Sequence, residues 1–140
     1  MTVRLRCHTA VLAGAATLCS VSMPSLASET IRVSLQSNAI QLDTNSVKTG
    51  PVTFEVTNAA DNHMKHEMVV LKTDLAADQL PVKNQQVPES RFKKMGEAED
   101  VAPGKRSHLT LKLPPGHYVL ICNKAGHYSQ GMHAALTVTR

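Results

Sequence analysis

From Ile31 onward the chain is a run of short β-branched stretches, each closed by Asn, Gly, Pro or Asp: IRVSL at 31–35, AIQLD at 39–43, VTFEVTN at 52–58 and HEMVVLK at 66–72. The clearest of them is SHLTLKL at 107–113, where Leu109, Leu111 and Leu113 share one face of a strand. Pro114-Pro115-Gly116 then turns the chain into HYVLIC, 117–122, and AALTVT at 134–139 supplies a last strand. Strands at this spacing, without helical crossovers between them, predict an all-β fold: an antiparallel Greek-key β-sandwich or barrel of about seven to eight strands. One region breaks the pattern. Between Thr73 and Asp100, DLAADQL at 74–80 reads as a short helix ended by Pro81, followed by a polar excursion, so a long, partly helical insertion is expected at about 73–100.

At the N-terminus, Arg4, Arg6 and His8 precede a weakly polar run from Ala10 to Val21, and Ser25-Leu26-Ala27 follows with small residues at the cleavage positions. This predicts a signal peptide over residues 1–27 and one exported domain over 28–140. The run is too short for a transmembrane helix, which needs roughly 20 apolar residues, so a soluble periplasmic or otherwise extracytoplasmic protein is expected, without stable membrane insertion. Without Arg4 and Arg6 the balance falls from 15 bases against 11 acids to 13 against 11, a net charge of about +2. That is too mild to point to nucleic acid, and Arg91-Phe92-Lys93-Lys94 is soon balanced by Glu97, Glu99 and Asp100.

Cys7 and Cys19 lie within the predicted signal peptide, which leaves Cys122 as the lone thiol of an exported chain. It cannot close an internal disulfide, so intermolecular pairing, a reactive thiol or metal ligation remain. Its surroundings favour a metal. In ICNKAGHYSQGMHAALTV, Cys122, His127 and Met132 recur at intervals of five, with Gly126 before the histidine and Gly131 before the methionine. The glycines allow the loop to bend back on itself. Thioether sulfur suits copper and is a poor ligand for zinc, calcium or magnesium. Two imidazoles and a thiolate with a weak axial methionine form the donor set of a blue copper site. The second histidine must come from elsewhere in the fold. His66, opening an apolar strand, is the expected partner, and His63, in a polar loop, an exposed neighbour. His108 and His117 read as surface residues, His133 as a rim residue.

These features resemble the cupredoxin family of small blue copper proteins, which includes plastocyanin and azurin. The resemblance is most specific in PPGHYVLICNKAGHYSQGMHAALTV and runs from Ile31 to Thr139. It implies a Greek-key β-sandwich with one type 1 copper at one end, held by His66, Cys122, His127 and Met132. It also implies a carrier of single electrons, not an enzyme, that docks redox partner proteins transiently near His127; a monomer is the default for a small soluble carrier. Many members carry asparagine directly after the first ligand histidine; here that position is Glu67. A thiol enzyme using Cys122 and His127 lacks an oxyanion hole or an orienting acid. A periplasmic copper chaperone or copper-storage protein is the stronger alternative, because His63, Met64, Met68 and His133 add donors near the motif.

Overall fold

The structure, a computed structural model, describes residues 28–140; the predicted signal peptide lies outside the described residues. Among the described residues, nine strands form two packed sheets: β1 (Glu29–Leu35), β2 (Ile40–Leu42), β3 (Ser46–Lys48), β4 (Gly50–Asn58), β5 (His66–Lys72), β6 (Lys93–Val101), β7 (Arg106–Leu113), β8 (Gly116–Ile121) and β9 (His133–Thr139). One sheet has the order β2-β1-β4-β7 and the other β3-β9-β8-β5-β6. Both sheets are mixed, because β1 runs parallel to β4 and β3 parallel to β9 while the remaining pairs are antiparallel. The expected β-sandwich is present, with β3 and β6 in addition to the strands read from the sequence. Both additions are edge strands with few apolar residues, which weakens their signal.

The sheets differ in how many faces they bury. In β4 every second side chain is buried, Val52, Phe54 and Val56 pointing inward, and β1 matches it with Ile31, Val33 and Leu35. Strands β5 and β8 bury both faces. His66, Met68 and Val70 face the inter-sheet core, as do Tyr118, Leu120 and Cys122. Val69, Leu71, Val119 and Ile121 face outward, into a second apolar cluster with Leu80, Val87 and Tyr128. Residues 73–92 make that outer layer.

The predicted helix in this layer does not form. Residues 74–80 are bends and turns, Glu89–Arg91 is a single 3-10 turn, and residues 93–100 belong to β6. So short a segment cannot sustain a helix on its own hydrogen bonds. Its main-chain groups are used by tertiary partners instead: Leu80 N–H donates to Tyr128 Oη at 2.9 Å, and Tyr128 O–H donates to the Ala77 carbonyl at 2.8 Å.

Candidate metal centre

Three donor atoms meet at one end of the sandwich. His66 begins β5, and sheet pairing to β6 fixes its main chain with the ring turned inward. Cys122 directly follows β8 and is fully buried. His127 begins the turn that runs through the 3-10 residues Tyr128–Gln130. The Nδ1 atoms of His66 and His127 lie 3.2 Å apart, and Cys122 Sγ lies 3.7 Å from the first and 3.3 Å from the second. A point equidistant from these corners lies about 2.0 Å from each, close to the roughly 2.0–2.3 Å at which imidazole nitrogen and thiolate sulfur bind a small divalent metal. Among the described residues, these three form the His/Cys/Asp/Glu group whose donor atoms stand close enough to hold a metal ion. Soft sulfur with two imidazoles suits copper, so the donor set fits the metal expected from the sequence.

Loop geometry follows from hydrogen bonds and two glycines. Cys122 N–H donates to the Met132 carbonyl at 3.0 Å, and Met132 N–H donates to the His127 carbonyl at 3.1 Å, so the chain from 122 to 132 closes on itself. Gly126 and Gly131 take φ of +83° and +108°, where a side chain is strained. At Gly131 a Cβ would also stand 2.7 Å from the Asn38 carbonyl oxygen. Met132 is fully buried and packs in the inner core with Cys122 and Met68.

Burial sets the protonation states. Burial pushes both His66 and His127 below the ordinary imidazole range, assisted at His66 by the facing His127 and at both by Lys124. Both rings are therefore neutral near pH 7, the form that binds metal. The same burial raises the Cys122 thiol, opposed by the main-chain N–H groups of Glu67 and Lys124. The Glu67 N–H stands 3.5 Å from Sγ. Its carboxylate lies 3.6 Å from Lys124 Nζ, which also binds Asp100 at 2.8 Å. Glu67 thus meets the thiolate-bearing loop through an ion pair where an asparagine would offer an amide. Among the described residues, His66 Nε2 is the buried side-chain nitrogen or oxygen without a hydrogen-bond partner.

The other histidines lie outside the donor triangle. His63 is exposed, His108 and His117 are exposed on β7 and β8, and His133 packs its ring against Tyr128 at 5.2 Å between centroids. Of the extra soft donors, Met68 is fully buried in the core and Met64 is 54% exposed. Tyr128, next to His127 in the chain, is buried under residues 77–80. Asn123 is a residue that sequence reasoning misses. It is buried and bonded to Val87 and Glu89, and its only sequence signal is its place beside Cys122.

Residues 29–139 match the family of copper binding proteins of the plastocyanin/azurin type. No curated protein matches the sequence. Among solved structures, reduced auracyanin from the photosynthetic bacterium Roseiflexus castenholzii is 26% identical with a TM-score of 0.54, covering 79% of this chain and 97% of that one. Auracyanin A, a "blue" copper protein from Chloroflexus aurantiacus, is 21% identical with a TM-score of 0.56, covering 81% and 100%. Rusticyanin from Thiobacillus ferrooxidans is 13% identical with a TM-score of 0.60, covering 80% and 77%. The last two share the fold.

Proposed function

The chain belongs to the plastocyanin/azurin family of copper-binding proteins, the cupredoxins, and from that premise we propose that it carries single electrons between redox partner proteins outside the cytoplasm. In this reading His66, Cys122 and His127 would hold one type 1 copper ion, and Met132 would add a weaker thioether donor. The observation that carries it is the buried triangle of two imidazole nitrogens and one sulfur. Copper, when bound, supplies a one-electron couple whose oxidised form takes an intense blue colour from its thiolate.

The chain's own part is to hold these donors still. His66 and Cys122 are anchored by β5 and β8, and His127 by the closed loop, so the scaffold resists rearrangement when the charge at the site changes. At 8% exposure His127 is the least buried of the three. Its ring is the port through which electrons enter and leave. Partners dock there briefly, over a small area, as electron-transfer encounters generally do. No substrate is transformed. Among the described residues no helix is long and apolar enough to cross a membrane, and the mature protein is a monomer of the extracytoplasmic space.

A chaperone or storage role asks for donors that a partner can reach. Cys122, His66 and Met132 are enclosed, and of the additional donors read from the sequence only His63 and Met64 are exposed, so the carrier is favoured.

Reconstituting the protein with Cu(II) tests this. One tightly bound ion with an intense blue thiolate band is expected, absent in Cys122→Ser and His66→Ala and retained in His63→Ala. A colourless protein that takes only Cu(I) and surrenders it to a chelator on reduction would overturn electron carriage.

A further inference from the structure

Asn123 stands one residue after the proposed thiolate, and strand alternation turns it away from the metal. Tyr118, Leu120 and Cys122 face the inner core, so Val119, Ile121 and Asn123 face the outer layer of residues 73–92. There its carboxamide pairs with both main-chain groups of Val87, Oδ1 accepting from the N–H at 2.7 Å and Nδ2 donating to the carbonyl at 2.9 Å. Nδ2 also donates to Glu89 Oε1 at 2.8 Å, and the Asn123 carbonyl accepts from Gln86 Nε2 at 2.7 Å. The other Glu89 oxygen lies 2.9 Å from Lys94 Nζ, which reaches Glu97 at 2.7 Å. Asn123 is 5% exposed and Val87 2%. Polar groups so enclosed are costly to leave unpaired, and here every one of the carboxamide's contacts goes to the outer layer.

A second contact lies three residues on. Gly126 N–H donates to the Gln85 carbonyl at 2.8 Å. Gln85 offers that carbonyl from a left-handed φ of 64°, beside Asn84 at 52°, at the tip of the turn bridged by Lys83 and Gln86. Two successive non-glycine residues at such angles persist only where their surroundings hold them. Between these two contacts lies Lys124, whose main-chain N–H favours the Cys122 thiolate together with the Glu67 N–H, which stands 3.5 Å from Sγ. Asn123 and Gly126 therefore bracket the peptide that addresses the sulfur.

We propose that Asn123 is a positioning residue for the thiolate: it clamps residues 85–89 onto residues 123–126 and so fixes the Lys124 N–H against Cys122 Sγ. This rests on the copper reading given above. An N–H aimed at the sulfur draws charge from it and favours reduced copper, so loosening the clamp lowers the reduction potential and shifts the thiolate band. The outer layer then belongs to the electronics of the site.

The experiment compares wild type, Asn123→Ala, Asn123→Asp and the double variant Asn123→Asp/Glu89→Gln. Reduction potential and blue band are read on copper-loaded protein, and amide exchange at Val87, Lys124 and Gly126 on copper-free protein. Asn123→Ala should bind one copper at a lower potential, with a shifted band and at least tenfold faster exchange at the three amides. Asn123→Asp should move the same way, because a carboxylate has no N–H for Val87 or Glu89. The double variant should recover part of the shift, since the carboxamide placed at position 89 can donate to the carboxylate placed at position 123, reversing the original pair. Should Asn123→Ala not fold, Gln86→Ala removes one contact at an exposed residue, with the same signs and smaller effect. An unchanged potential and band despite fast exchange at Val87 would make Asn123 an anchor of the outer layer alone and overturn the proposal. Absence of a blue site in wild type would sink the copper reading, while unchanged Lys124 exchange in the copper-free variants would sink the clamp.

Discussion

Two segments meet at the metal end of the sandwich and are built on opposite principles. The loop from Cys122 to Met132 is organised from within, by its own main-chain bonds and by glycines at +83° and +108°. The layer from Thr73 to Phe92 is organised from without, because its polar groups bind Tyr128, Asn123 and Gly126, and Leu80 and Val87 pack on the outward faces of β5 and β8. The contrast shows how a site can be written locally in the sequence while the surface that braces it is not. Each half of the comparison can be broken by mutation.

The largest effect should come from the apolar seam under the outer layer. Leu71 and Leu120 are both fully buried, the first beneath residues 73–92 and the second between the sheets. If the outer layer is true core, Leu71→Ala and Leu120→Ala each cost about 2–5 kcal/mol in chemical denaturation. A Leu71→Ala cost near zero would show that the layer opens to water and does not brace the loop.

Next is the bond that joins the two segments. Tyr128 O–H donates to the Ala77 carbonyl and its oxygen accepts from Leu80 N–H. Tyr128→Phe leaves both main-chain groups unpaired under an apolar cover and should cost about 1–3 kcal/mol by urea denaturation. The glycines sharpen the other half. Gly131→Ala should cost about 1–3 kcal/mol, since it adds a clash with the Asn38 carbonyl to the left-handed strain. Gly126→Ala meets nothing nearer than 3.6 Å, so its cost should stay at about 1 kcal/mol, from strain alone. Equal costs at the two positions would remove the packing argument at Gly131.

What can be read from sequence follows the same division. Cys122 and His127 are legible because a loop that closes locally carries its donors close together in sequence, with glycine where φ is positive, and Met132 closes that loop through its main chain. His66 is legible through the apolar strand it opens. The sandwich can be read from alternation in β1, β4 and β7, where one face is wet. In β5 both faces are buried, so the run Met68–Leu71 says only that something covers the outside. The cover itself reads wrongly as helical, because DLAADQL has helix-forming composition while its Ala77 carbonyl and Leu80 N–H bond to Tyr128, about 50 positions away in sequence. Asn123 and the parallel pairing of β1 with β4 are hidden for the same reason: neither leaves a periodic trace.

The smallest expected effect lies where the ion pairs around Lys124 close the outer side of the loop. Lys124 Nζ hydrogen-bonds Asp100 at 2.8 Å and lies 3.6 Å from Glu67. That hydrogen bond, with the charges of Lys124 and Lys65, holds the Asp100 carboxyl below the usual carboxylate range. A carboxyl depressed in the folded state stabilises the protein above its unfolded pKa, about 3.9 for aspartate, and loses that contribution as pH falls through the lower folded value. Asp100→Asn removes the charge, and asparagine tolerates the left-handed φ of 48° found there. Wild type should therefore be slightly more stable than Asp100→Asn at pH 6, with the gap narrowing below about pH 4 and closing at more acid values. Because Asp100 is on the surface, 150 mM salt should shrink the gap at pH 6 as well. A gap that persists unchanged to pH 2 would mean that Asp100 acts through shape and not charge. The bracing of residues 122–132 would then rest on the carboxamide of Asn123 and the hydroxyl of Tyr128, with no share from the charge of Asp100.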